Sequence, residues 1–539
     1  MKVAMAQINQ VVGDFDGNFH RIEAALAEAS DKGAELCVFP EMATVGCYAL
    51  DLLQQDRFIS DNLDLLDRLA EGTQGIGMVI GFVRPNPTGE KLENAAALIA
   101  DGEIVSTHVK MNLARHGYVD ESVYFTRGDT VKPTLFRGIR LGITLCDDIC
   151  RRGTNRYSGT MPVDPVGMAV ENGAEVILNL GAYPFSQDGC EIRKQALVNA
   201  ARSHHRSVIH VNMVGGNEEW VFEGGSAAFN PDGDIIAAVP RFEEAVEVVD
   251  IDADIDPVSA QICDGAQGIV RALTLGTRDF CRKHGYERPV IALDGSIAAS
   301  VAAVITADAV GPERVTGITV SSMSDTDITP VLTESLARAV GIVFQVYNTA
   351  DWTVFFEREV AKLTSRNMIR NGNNSTHIEV MARRMFLEML ASLNGDLLIN
   401  TDTRVDVAIH APKPIVGEYS IFKDLTWRQL HEIGALIKRE RALPPEALLQ
   451  RSGSDICRFE QEGMSVAVPY DTIDVLLDAY LNCGYAPSSL LSYGFDETTV
   501  RHIIARFRDS ERYRRRLPLG VRINAENAAR IPLDHHWRR

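Results

Sequence analysis

Short apolar runs of strand length recur through the first half of the chain, at residues 3–8, 34–39, 77–82, 95–99, 141–145, 176–180 and 207–211. The segments between them carry helical periodicity. In residues 14–32, Phe19, Ile22, Leu26 and Ala29 fall three and four apart, so they share one face of a helix that follows the first strand. Strand-sized and helix-sized runs in alternation predict a layered α/β architecture. The alternation continues to about Ile255. There Val246, Val248 and Val249 close a last strand, and the acidic stretch 250–256 leads into Pro257. A boundary at this proline divides the chain into residues 1–256 and 257–539. Beyond it, a helical segment over about 266–283 precedes a strand at 289–293, and a second α/β pattern begins.

Composition narrows the picture. A length of 539 residues implies two or three cores at ordinary domain sizes, and two is the working number. The chain is 45% hydrophobic and 24% charged, as soluble globular proteins are, and no apolar run is long enough to cross a bilayer. The opening residues move straight into a strand pattern without the basic and apolar regions of a signal peptide, so a cytoplasmic, non-membrane protein is expected. Nine cysteines, an odd number without paired spacing, fit reduced thiols better than a disulfide framework or a zinc site. A net charge of -19 argues against a nucleic-acid surface; the basic cluster at 512–516 is expected to be a solvated helix face.

Three residues near the ends of predicted strands carry a candidate chemistry: Glu41 in Phe39-Pro40-Glu41, Lys110, and Cys146 in Leu145-Cys146-Asp147-Asp148. Taken singly, each has a bland reading. The cysteine would be a buried structural thiol, the glutamate a surface residue or helix cap, and the lysine a solvated cation. Together they supply what amide cleavage by a thiol needs: a nucleophile, a base to take its proton, and a cation for the developing oxyanion.

The order Phe-Pro-Glu, Lys, Cys-Asp-Asp resembles the nitrilase superfamily of carbon-nitrogen hydrolases, whose Glu-Lys-Cys triad matches Glu41, Lys110 and Cys146. The segments 117–121, 214–219, 222–226 and 241–244 are similar to the glutamine-dependent NAD synthetase family, and this resemblance runs over nearly the whole chain. It implies a four-layer αββα sandwich followed by a Rossmann-like domain of the ATP-pyrophosphatase type. It also implies a second glutamate near the nucleophile, at Glu121, and assembly as a homo-oligomer.

Several positions depart from that family's pattern. In the expected substrate pocket, Cys47 and His116 stand where tyrosines are usual, Cys150 replaces an aromatic, and Tyr183 opens the Tyr-Pro-Phe segment. Val119 lies in the same altered stretch. Gly189 stands near where an arginine would bind a substrate carboxylate, and Arg193 is the nearest replacement. In the second half, the family's Ser-Gly-Gly-x-Asp-Ser phosphate loop reads Asp294-Gly295-Ser296-Ile297-Ala298-Ala299, which puts a carboxylate against phosphate and removes a metal ligand and a hydroxyl. Residues 401–406 and 413–417 are altered as well.

The expectation from the sequence is therefore a cysteine amidohydrolase that releases ammonia from a small amide other than glutamine through a thioester. The amidase half needs neither metal nor cofactor, and the second half is catalytically degenerate. A working glutamine-dependent NAD synthetase using ATP, magnesium and nicotinic acid adenine dinucleotide is the alternative; a pseudoenzyme in both halves is a third reading.

Overall fold

The computed structural model describes residues 1–89, 91–116, 119–150, 163–259, 265–321, 328–364, 374–409, 417–441, 443, 456–461, 464–481 and 483–524. The chain divides into two compact units, Met1–Gly265 and Ala266–Arg539.

The first unit contains two six-stranded sheets. In one, Lys2–Gln7 pairs parallel with Leu36–Val38 and antiparallel with the closing strand Ala245–Asp250; Gly77–Pro85, Leu92–Ala100 and Glu103–Val109 extend it. In the other, Ile139–Leu145, Val176–Gly181 and Ser207–Asn212 run parallel at the centre, flanked by Thr134–Phe136, Ala227–Phe229 and Ile235–Ala238. The inner faces meet in one core, where Val3, Met5, Val38 and Leu98 of the first sheet pack with Ile143, Leu178, Ile209 and Val211 of the second. Each outer face is covered by helices. Phe15–Asp31 and Asp56–Glu71 bury Ile22, Leu26, Leu65 and Leu69 on the first sheet. Pro165–Glu171 and Gly189–His204 bury Val166, Ala169, Leu197 and Ala201 on the second. This is the four-layer αββα sandwich.

Local sequence explains where these elements start. Asp14 caps the first helix by accepting the Gly17 amide at 3.0 Å, and the apolar face predicted at Ile22, Leu26 and Ala29 is buried, with Phe19 half-buried beside it. Central strands buried on both faces explain why the predicted runs were continuously apolar rather than alternating.

The second unit opens with the helix Gly265–His284 and holds a five-stranded parallel sheet. Its spatial order is Val343–Asn348, Thr316–Ser321, Pro289–Ala292, Leu397–Asn400, Tyr419–Ser420. In chain order this reads 3-2-1-4-5, a doubly wound arrangement that reverses direction between Pro289–Ala292 and Leu397–Asn400. Ligands of such sheets bind beyond the carboxyl ends of the strands at that reversal. Among the described residues, no helix is long and apolar enough to cross a membrane.

Candidate active site

The three sequence-predicted groups come from different strand ends of the sandwich and converge. Glu41 follows Leu36–Val38, and Lys110 follows Glu103–Val109. Cys146 follows Ile139–Leu145, on the opposing sheet. Their residues are almost fully buried, with exposures of 2%, 1% and 7%. The Lys110 ammonium donates to Glu41 Oε1 at 2.8 Å and to Glu121 Oε1 at 3.0 Å. Glu121 is itself anchored, since its Oε2 accepts the Ala114 amide at 2.6 Å. Asn94, on Leu92–Ala100, donates to Glu41 Oε1 at 2.7 Å. Gly81 makes room for this glutamate: a Cβ there would lie 2.6 Å from Glu41 Cα and 2.5 Å from the Met42 nitrogen.

The electrostatics follow from burial. Desolvation works against the Lys110 charge, but Glu121 and Glu41 outweigh it and hold the ammonium well above its ordinary range. Burial pushes Glu41 up against the opposing pull of Lys110, with Glu121 adding to the rise. The Cys146 thiol is also pushed well up, by burial first and by Glu41 next. The free site therefore holds a neutral thiol beside a carboxylate of raised proton affinity. That carboxylate is suited to accept the thiol proton as attack proceeds, while Lys110 stays charged to meet an oxyanion.

Cys146 sits at a sharp turn. Its φ of 42° lies in the left-handed region, which a non-glycine residue adopts only when its surroundings hold it there. The Cys146 carbonyl accepts from Asn179 Nδ2 at 3.2 Å, and Asn179 Oδ1 contacts His210 Nδ1 at 2.8 Å. Burial, with Arg193 second, pushes His210 down to about 3; neutral imidazole then donates through Nδ1 to the amide oxygen.

Around the thiol, Cys47 packs with Ala182, Met213 and Phe222, beside the rings of Tyr48 and Trp220. Cys150 is buried against the outer layer with Met111 and Val166, its thiol pushed up to about 12 by burial. The Tyr183 hydroxyl is buried against the Cys146 and Cys150 thiols, burial pushes its proton affinity well up, and its ring lies 5.6 Å from the Arg193 guanidinium. Arg193 does not reach into this space as a free cation. Its guanidinium pairs with fully buried Glu223, which also takes Arg241. Arg193, the candidate for the role of the arginine missing at Gly189, is therefore held by Glu223 of the neighbouring strand Trp220–Glu223, which it shares with Arg241. His116 and Val119 lie in two short paired strands, Arg115–His116 and Val119–Asp120. Their side chains, and all of Gly117 and Tyr118, fall outside the described residues.

Asn94, Asp148 and Asn179 were not singled out from the sequence. A lone asparagine inside each of two apolar strands, Leu92–Ala100 and Val176–Gly181, was the available signal, because a buried amide must be hydrogen-bonded.

In the second unit, Asp294, Gly295 and Ser296 link the strand Pro289–Ala292 to the helix Ile297–Val310, at the reversal of the sheet. Gly295 is left-handed, with φ of 80°. Asp294 Oδ1 accepts the Ser296 amide at 2.9 Å, and Ser296 Oγ accepts the Ala299 amide at 3.2 Å. Two of the amides that could face a phosphate are thus bonded within the loop, one to a carboxylate. Ala298 and Ala299 add only methyl groups. After the strand Leu397–Asn400, Asp402 accepts from Tyr513 Oη at 2.8 Å, and Asp406 accepts from Thr403 Oγ1 at 2.7 Å. Residues 413–416 lie outside the described residues.

Comparison with known proteins gives concordant matches. Residues 2–259 match the carbon-nitrogen hydrolase family and residues 269–518 match the NAD synthase family. The chain is 28% identical to a glutamine-dependent NAD(+) synthetase of Thermotoga maritima and 26% identical to that of Acinetobacter baylyi, in each case over 100% of this chain and 99% of the relative. Two solved structures share the fold. One is the glutamine-dependent NAD+ synthetase of Acinetobacter baumannii in complex with ADP, with a TM-score of 0.77 at 24% identity, covering 98% of this chain and 97% of that one. The other is the synthetase of Cytophaga hutchinsonii, with a TM-score of 0.82 at 16% identity, covering 99% and 98%. With its carbon-nitrogen hydrolase domain followed by an NAD synthase domain, the chain belongs to the glutamine-dependent NAD synthetase family.

Proposed function

We propose that the protein is a glutamine-dependent NAD synthetase whose first half releases ammonia from glutamine and whose second half consumes it. The observation that carries this reading is the end-to-end likeness to synthetases so named, with both of their domains present in order. In the first half, Glu41 takes the Cys146 proton and the sulfur attacks the amide carbonyl, with Lys110 facing the oxyanion. Ammonia leaves, and water cleaves the thioester. The sequence expectation of a small amide other than glutamine gives way to this reading.

One observation favours a second reading, in which the amide-cleaving half works and the other half has no ATP chemistry. It is the loop in which Asp294 holds the Ser296 amide and two alanines follow. The deciding experiment incubates the protein with glutamine, ATP, magnesium and nicotinic acid adenine dinucleotide, and measures NAD and ammonia together. NAD formation that Cys146→Ala abolishes and ammonium chloride restores supports the synthetase. Ammonia without NAD, and no heat on titration with ATP, overturns it in favour of the second reading.

Two further assignments accompany the proposal. The cytoplasm suits a chain in which none of the eight described cysteines is in a disulfide. A homo-oligomer suits the helix Asn374–Asn394, which exposes Met381, Met385, Met389 and Leu393 at successive turns of one face.

A further inference from the structure

Asp148 is 1% exposed, two residues after the nucleophile, and its carboxylate binds two separate backbone segments. Its Oδ1 accepts the Asn112 amide at 2.7 Å and the Met111 amide at 3.1 Å. Its Oδ2 accepts the Leu145 amide at 3.1 Å. Met111 and Asn112 are the residues directly after Lys110, and Leu145 is the residue directly before Cys146. One rigid side chain therefore spans from the backbone that carries the cation to the backbone that carries the thiol, across the two sheets of the sandwich. Asn112 reinforces the junction by donating from Nδ2 to the Asp147 carbonyl at 3.4 Å.

A buried carboxylate is expensive to desolvate: burial raises Asp148 to about 7 against the opposing pull of the three amide donors and Lys110. A neutral side chain would serve if the need were only to terminate a strand. What the carboxylate adds is acceptor capacity on two oxygens at once, which a single amide or hydroxyl side chain does not offer.

We propose that Asp148 is a positioning residue of the amide-cleaving centre, setting Lys110 in register with Cys146 by holding the Met111, Asn112 and Leu145 amides on one carboxylate. The proposal rests on the thioester chemistry assigned above to the first half and is independent of which amide is cleaved. Acyl transfer tolerates little misplacement of an oxyanion donor, so loosening this link slows acylation while leaving the pocket formed. The effect should pass through Lys110, whereas a purely structural aspartate would lower stability in every background alike.

The test uses the full chain and p-nitrophenyl acetate, whose acyl transfer to Cys146 passes through the same oxyanion and releases a coloured phenolate. The wild type, Asp148→Asn, Lys110→Ala and the double variant are compared. Melting temperatures and mass-spectrometric counting of iodoacetamide-modified Cys146 correct each rate for folded sites. Asp148→Asn is expected to slow acylation per folded site about 10- to 100-fold, with KM within about threefold. In the Lys110→Ala background the same change should have almost no further effect, because the group it positions is gone. Losses that multiply in the double variant, or a wild-type rate in Asp148→Asn once folded sites are counted, overturn the proposal alone. A wild-type rate no faster than that of Cys146→Ala overturns the thioester chemistry and the proposal with it.

Discussion

The site is built around one cation shared by two carboxylates. Lys110 donates to Glu41 and lies against both oxygens of Glu121, one of which also accepts a backbone amide. Glu41 is therefore the carboxylate left to move a proton, and Glu121 holds the lysine in place. Replacing Glu41 with Gln keeps its shape and removes its basicity; ammonia release is expected to fall about 100- to 10,000-fold with the fold intact, as measured by a coupled ammonia assay. The pH profile carries a second expectation. A base acts only when ionised, and burial raises the Glu41 proton affinity. The acid limb of kcat/KM should therefore lie above the ordinary carboxylate range, with activity rising as pH climbs through it. A limb at or below the usual value for glutamate would mean that another group accepts the proton.

At the scale of elements, the strand ends are placed by small local features. Gly81 sits where any side chain would strike the backbone of Pro40, Glu41 and Met42, so Gly81→Ala should displace the base. Both stability and turnover should drop, the first read by thermal denaturation and the second by ammonia release. Where the edges of the two sheets meet, His108 Nε2 lies 3.1 Å from Ser106 Oγ and 3.2 Å from Thr134 Oγ1. Burial pushes His108 down from 6.5 to about 4, so the folded form keeps it neutral while the unfolded chain takes up a proton. Stability is full above about pH 6.5 and is lost as pH falls from there toward 4, by about 3 kcal/mol at most from this group. Denaturant titrations of wild type and His108→Gln across that window should diverge, with the variant losing less on acidification.

Over the whole molecule, two α/β units follow one another along the chain, and each places its chemistry at strand ends. The exposed methionine face of Asn374–Asn394 gives a test of assembly. Met385→Lys combined with Met389→Lys should shift sedimentation toward a smaller species, whereas an unchanged profile would remove that face from any oligomer contact.

Much of this was legible in the linear chain. The seven apolar runs correspond to strands, the first helix begins where Asp14 can cap it, and the Glu-Lys-Cys trio marks the three strand ends that converge. These features depend on periodicity and residue type over a few neighbouring positions, which the covalent order displays directly. The sequence also displays the departure of residues 294–299 from the family pattern, because Ala298 and Ala299 carry neither a carboxylate nor a hydroxyl in any fold. Tertiary structure decided the rest. Glu41 and Lys110 meet although 69 residues separate them, Asp148 reaches an amide 36 residues upstream, and Arg193 is claimed by a glutamate 30 residues on. Whether a buried charge is free or already paired depends on what the sheets bring against it. The strand order that creates those pairings is selected by packing two apolar faces together, which no short stretch of sequence encodes by itself.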